Sequence, residues 1–520
     1  MSWFLIFLAE DTSWVFDLGA YEMIWDIVIQ FGVVLVGLFL GNALRNAIPF
    51  LRKSLIPSAL IGGLLLLITK IILNAFDVNV IEWTWNASWA AKAGASPSVA
   101  KIEFFDNTFL QFITYHGLAI GFIASTFRTA KVKNKVAKVK MFENGIMTGG
   151  AYMLQGFLGL AITIVWFLLS KNSDKVIYYS SGAILPLGFG QGPGNALTWD
   201  KNFSALLFDS NFAASTTGTT ALFSGNGSFG LTIASVGFVV GSVIGVLHIN
   251  LARKKGIIKV RGEETAQANI EYFVGENEIP DSESIDKFSV QVGLVAIAYG
   301  FAILIMIGFA VISKFTNSIA WGFNFIWGVI AATLIKLVLR GLKKKNIVKR
   351  NYINNHQMDR ISGFAFDMMI VAGVAAIQIE FIEKYIGVLI VLCIVGTIST
   401  YLYVLTVSKH CFKGYEQEMF VTNFGTLTGT ASNGMILLKE IDPNFVTPAN
   451  NLFILSQFPA MLCVAPLLLV LNFSSQSLTN AIITAGIFFV LFAGYTIFLF
   501  RRKIFKKFYA NKEEIAWQEE

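Results

Sequence analysis

The side chains in this sequence best suited to chemistry are neutral amides and hydroxyls set among glycines. In one stretch Gly188, Gly190, Gly192 and Gly194 alternate, with Gln191, Asn195 and Thr198 among and after them. In a second, Thr426, Thr428, Thr430, Ser432 and Asn433 cluster around Gly425 and Gly429. Hydroxyl, carboxamide and unwound carbonyl oxygens hold a sodium ion by their dipoles. Free N–H groups at a helix N-terminus suit a carboxylate. Gln191, Asn195, Thr198, Thr428, Thr430, Ser432 and Asn433 are therefore candidate substrate ligands. Thr426 is a candidate for the ion, as are Gly190 and Gly425, where a bare backbone lets a ligand come close. For any single Ser or Thr the competing role is a helix cap or packing. Asp367 is the only acid well inside an apolar run of the second half. Unpaired at a helix centre it costs about 2.5–3.5 kcal/mol, which makes it a functional candidate. It can bind a cation, take a proton or meet an ammonium; alternatively it pairs or snorkels near Asp359 and Arg360.

Composition says what must position these groups. The 520 residues are 55% hydrophobic and only 14% charged, with 47 Phe and 45 Gly. Soluble chains carry about 25% charge. Apolar runs long enough to cross a hydrocarbon core of roughly 30 Å recur throughout. The fold class is all-α, a polytopic membrane protein.

Hydropathy places spans near 24–44, 55–74, 109–128, 145–170, 229–250, 289–313, 319–339, 361–381, 385–408, 451–473 and 479–500. The first 20 residues carry Glu10, Asp11 and Asp17 and no basic start, so they read as an outside segment and not a cleaved signal peptide. With the N-terminus outside, the loops assigned to the cytoplasm hold 27 Lys and Arg against 7 on the opposite side. That is a strong positive-inside bias, and it puts the C-terminus in the cytoplasm. The net charge of +7 is thereby a topology signal facing anionic lipid, with no bearing on nucleic acid. No phosphate-binding G-x-x-x-x-G-K-[ST] loop occurs, so transport would draw on an ion gradient or run downhill.

The two glycine-rich stretches break the hydropathy. The first lies between spans four and five, with a hairpin near 183–203 followed by a Ser/Thr/Gly tract from Phe212 to Ser228 that can equally be outside loop. The second lies between spans nine and ten, near 421–443. Each is either a surface connection or a segment that enters the membrane and returns. Irregular backbone at membrane depth survives only inside protein or along a watery cavity, and a pair in corresponding positions points to a transporter's binding site. By the charge argument one starts outside and the other inside. The chain then divides into a first five-span repeat at 1–250, a cytoplasmic linker at 251–288, an inverted second repeat at 289–473, and an extra span with a basic tail at 474–520.

At these residues the sequence resembles the sodium/glutamate symporter family, from the superfamily that holds the 2-hydroxycarboxylate transporters. The likeness extends over roughly 24–473. It rests on Ile56-Pro57 through Gly62-Gly63-Leu64-Leu65, on Gly117-Leu118 with Arg128, on the cluster from Gly188 to Trp199, and on Thr428-Gly429-Thr430-Ala431 with Met435 and Glu440. It implies ten spans in two inverted repeats, two re-entrant hairpins and a homodimer in the plasma membrane. It further implies sodium-coupled symport of glutamate or a related small carboxylate, with no cofactor but the coupling ion. The first hairpin reads G-F-G-Q-G-P-G-N where the family has G-G-H-G-T-G, Gly429 stands for a proline, and Asp367 and the eleventh span are additions. Those departures leave the substrate open: a 2-hydroxycarboxylate or another organic anion, or proton coupling, stays in view. A channel would need a filter built around an axis, usually by several subunits. An enzyme would need convergent acids, histidines or nucleophiles. The chain offers only isolated ones, His116 reads as packed, and Cys393, Cys411 and Cys463 form no CxxC pair. Gly237, Gly241 and Gly245 form a small-residue face suited to helix packing.

Overall fold

The computed structural model describes residues 22–84, 99–128, 135–170, 177–207, 227–258, 286–347, 350–443 and 446–504. The acidic N-terminal segment, the Ser/Thr/Gly tract from Phe212 as far as Asn226, most of the linker and the tail beyond Ile504 lie outside the described residues. Each expected span is a helix. The first half holds α1 (Glu22–Ala47), a short α2 (Pro49–Lys53), α3 (Ser58–Ala75), α4 (Asn107–Phe127) and α5 (Lys135–Ser170). A broken pair follows, α6 (Leu185–Gln191) and α7 (Pro193–Leu207), and then α8 (Ser228–Lys254). The second half repeats the order: α9 (Lys287–Ala310), a short α10 (Lys314–Gly322), α11 (Asn324–Lys344), α12 (Asn355–Ala375) and α13 (Ile379–Cys411). Its broken pair is α14 (Glu416–Thr428) and α15 (Ala431–Ile441), followed by α16 (Ala449–Ser474) and the additional α17 (Leu478–Leu499). A small antiparallel ribbon, Val80–Thr84 on Val99–Glu103, joins α3 to α4 and was not expected from the sequence.

Among the described residues nine helices are long and apolar enough to cross a membrane, and the helix bent at Pro459 makes ten. The chain is an all-α polytopic membrane protein. Several helices start where a polar residue precedes an apolar run. Asp106 accepts from the Thr108 amide at 2.8 Å, Asn354 from Gln357 at 2.9 Å and Ser477 from Asn480 at 3.0 Å. Asp286 caps α9 by accepting from the Ser289 hydroxyl at 2.6 Å and from two backbone amides, which hold its carboxyl below the usual range. Two of the boundaries that differ from expectation have a plain cause. The fourth helix begins ten residues early, at Lys135, so its basic residues ride on the helix instead of a loop. The eighth stops at Ala375, because Gln378 already opens the next helix in an extended conformation.

The two halves meet through antiparallel pairs of corresponding helices. Along α4 and α12, Gly117 packs on Met369, Gly121 on Phe366, and Arg128 pairs with Asp359. Along α5 and α13, Gly150 packs on Tyr403, Gln155 bonds Thr400, and Trp166 covers Gly387. Corresponding helices therefore run in opposite directions. The second helices repeat one device as well. Lys70 of α3 donates to Ala375 O at 2.6 Å, Ile377 O at 3.1 Å and Asn107 Oδ1 at 3.0 Å, capping the C-terminus of α12. Lys336 of α11 donates to Thr126 O at 2.6 Å and Arg128 O at 2.8 Å, capping α4. An ammonium satisfies carbonyls that have no intrahelical partner and complements the helix dipole.

Packing divides the helices into two groups. The first three spans of each half (α1, α3, α4, α9, α11 and α12) pack on one another, and α5 to α8 pack with α13 to α17. Contacts between the groups are largely apolar. Leu118 lies on Gly194, Met369 near Gly192, Pro193 and Leu231 on Gly373, and the Trp199 and Phe323 rings sit 4.9 Å apart.

Candidate functional site

Helix α8 acts as a ruler for both breaks. On its N-terminal half it carries the first hairpin: Gly230 lies against Ala196, Ile233 against Gly188 and Gly237 against Phe189. From its middle onward it carries the second. Gly237 and Gly241 receive Thr428, Gly241 also Asn433, Gly245 receives Leu437, and Arg253 pairs with Glu440 at 3.0 Å. The small-residue face read from sequence is thus a seat for both hairpins, and their tips meet near the middle of this 27-residue helix. The four arms have 7, 15, 13 and 11 residues. Each falls short of the roughly 20 needed to cross a hydrocarbon core.

The tips touch directly. Gly192 turns the first hairpin with φ of +80°, a conformation that costs a side chain and that glycine adopts freely. A Cβ there would stand 3.0 Å from Thr430 Cγ2 and 3.6 Å from Met369 Cε. Across the break of the second hairpin Thr430 is extended and begins α15. The N-termini of α7 and α15 therefore converge, each with amides that lack an intrahelical acceptor, as do the carbonyl ends of α6 and α14.

Four of the eleven expected ligands are gathered at this junction. Gln191 accepts from the Asn195 carboxamide, and the Tyr152 hydroxyl of α5 bonds to Gln191. Asn195 is fully buried and its Oδ1 has no partner among the described residues; the same holds for Oγ1 of the buried Thr430. A buried oxygen without a partner costs about 1–3 kcal/mol, so one on each hairpin beside the tips is a reason to expect a ligand there. Gly190 lies beside the Tyr152 ring.

Others are used within the fold. The Thr198, Thr426 and Thr428 hydroxyls bond carbonyls one turn back, at 2.8, 2.7 and 2.6 Å. Asn433 accepts from Ser242 at 2.9 Å and donates to Phe238 O at 3.3 Å, tying α15 to α8. Gly425 gives room to Gly434 within the second hairpin, and Ser432 is half-buried one residue into α15. Asp367 is half-buried on α12, on the face of Val371 and Val374, which pack on Gly63 of α3. Met369 and Gly373, which reach the first hairpin, lie on another face, so the fold does not bring Asp367 to the tips. His116 is packed between Phe112 and Tyr115 and bonds Tyr299.

Sequence reading missed Tyr152, Gln155, Thr400 and Met369. Gln155 and Thr400 are single polar residues within long apolar helices, and that alone was an available signal. No protein-family model matches this chain, and no curated protein matches it.

Proposed function

We propose that this chain is a secondary active transporter that couples uptake of glutamate or a related small carboxylate to sodium by alternating access. On this reading it is a non-enzymatic member of the sodium/glutamate symporter family. It works as a homodimer in the plasma membrane, with its N-terminus outside. The observation that carries the proposal is the meeting of two broken helix pairs at the middle of α8, where Asn195 Oδ1 and Thr430 Oγ1, one on each hairpin, have no partner among the described residues. Converging helix N-termini favour an anion, and the opposed carbonyl ends favour a cation. Hairpins seated from opposite ends of one spanning helix suit a site reached from either side in turn. The mostly apolar contact between the two helix groups gives a surface along which they can shift.

The test is uptake of labelled glutamate, aspartate and citrate into proteoliposomes under an inward sodium gradient. Wild-type protein accumulates at least one of them, and Asn195→Ala and Thr430→Ala each lower that uptake by about tenfold or more, the worth of a lost ligand bond. Insertion and folding stay normal. Normal transport by both variants would put the site elsewhere. A second reading, proton coupling, is favoured by the carboxylate of Asp367, which has no ion pair among the described residues; sodium-independent uptake driven by a pH gradient would establish it.

A further inference from the structure

The fourth helices of the two halves, α5 and α13, cross with Gln155 facing Thr400, and both side chains are fully buried. Gln155 Nε2 donates to Thr400 Oγ1 at 2.7 Å and to Leu427 O at 3.0 Å. Thr400 gives its own proton to Gly396 O at 2.6 Å, so toward Gln155 it offers only lone pairs. Leu427 belongs to the last turn of α14, where carbonyls lack intrahelical donors and the dipole is negative. Two acceptors from two elements thus face one point, now filled by an amide nitrogen. The oxygen of that same amide, Gln155 Oε1, is buried with no partner among the described residues.

We propose that Gln155, Thr400 and the Leu427 carbonyl form a sodium site, in which the Gln155 amide nitrogen holds the cation's place until the ion arrives. Turning the carboxamide by half a rotation brings Oε1 toward Thr400 Oγ1 and Leu427 O. Three neutral oxygens then face one position at the negative end of a broken helix, and the orphaned oxygen acquires a partner in the ion, which replaces the two amide N–H bonds to Thr400 and Leu427. A cage of hydroxyl, carboxamide and carbonyl dipoles suits a monovalent ion. Divalent calcium and magnesium draw on carboxylates, and no group of three His, Cys, Asp or Glu side chains that could hold a metal occurs among the described residues. The position also links ion to substrate. Leu427 precedes the Thr428–Thr430 tip, and Gln155 follows by one turn Tyr152, whose hydroxyl bonds Gln191 at the other tip. An ion drawn to Leu427 O therefore fixes the end of the helix on which Thr430 depends. That coupling rests on the transporter reading; binding of the ion does not.

The experiment is thermal unfolding of the full-length protein in detergent without substrate, titrating sodium chloride against choline chloride at constant ionic strength. Wild-type protein is stabilised saturably by sodium, as expected for a ligand of the folded state. Gln155→Leu and the near-isosteric Thr400→Val each raise the half-saturating sodium concentration by about ten- to a hundredfold, the loss of one ligand to a charged partner. Thr400→Val keeps the shape of the crossing and serves alone if Gln155→Leu does not fold. Unchanged half-saturation in the variants, or no sodium-specific stabilisation of the wild type, overturns the site. If the variants bind sodium normally while uptake remains sodium-driven, only this site fails. If the site holds but no carboxylate is taken up, only the substrate reading fails.

Discussion

Asn195 and Thr430 show how much a single residue can disclose in advance. Both are polar groups among small residues, and the fold sets them on the two hairpins beside the touching tips, each with an oxygen that has no partner among the described residues. Thr198, Thr426 and Thr428 have the same sequence signature, yet each bonds its own helix, the competing use of any hydroxyl in an apolar setting. Sequence cannot separate the two outcomes, because the choice depends on whether a neighbour from elsewhere covers the side chain. Asp367 carries a prediction of its own. It is half-buried with no ion pair to any described residue, and it faces α3 instead of the tips. If its charge has no partner, Asp367→Asn removes a burden and stabilises the protein by about 1–3 kcal/mol, with the preference between amino acids and citrate unchanged. A lower melting temperature or an altered preference in that variant would reveal a cation or ammonium held by the carboxylate.

At the scale of elements, the helices were legible and their ends less so. Apolar runs and the capping residues Asp106, Asp286, Asn354 and Ser477 mark where helices form, since a spanning segment must satisfy its backbone internally. The end of α12 depends instead on Lys70, which reaches it from a helix some 300 positions away in sequence. Lys70 and Lys336 stand alone in apolar runs, and their matching roles emerge only from the pairing of α3 with α12 and of α11 with α4. Each supplies donors to carbonyls at a helix end, where intrahelical partners are missing. Lys70→Met keeps length and apolar volume but strands the Ala375 and Ile377 carbonyls. We expect a loss of about 2–4 kcal/mol, read by thermal unfolding in detergent, with Lys336→Met similar. A loss below about 0.5 kcal/mol, the range of ordinary surface changes, would show that these ammonium groups do not hold the helix ends.

For the molecule as a whole, charge asymmetry and spacing made the order of elements readable: five spans with a break before the fifth, then the same again. The structure repeats that order and sets corresponding helices antiparallel. What sequence left out is the sorting of helices into two groups, which follows from long-range packing among faces of nearly uniform hydrophobicity. Charges near helix ends pair across elements, as Arg128 with Asp359, Arg253 with Glu440, and Arg501 with Glu143, which Lys140 of its own helix also meets. The central claim is that one site at the hairpin tips opens to each side in turn. Its most direct measurement uses Ser432→Cys in a background lacking Cys393, Cys411 and Cys463, reacted with a membrane-impermeant thiol reagent from either face of sided proteoliposomes. Labelling from both faces is expected, slowed by sodium together with the transported carboxylate. Labelling from one face alone, whatever ions and solutes are present, would contradict it.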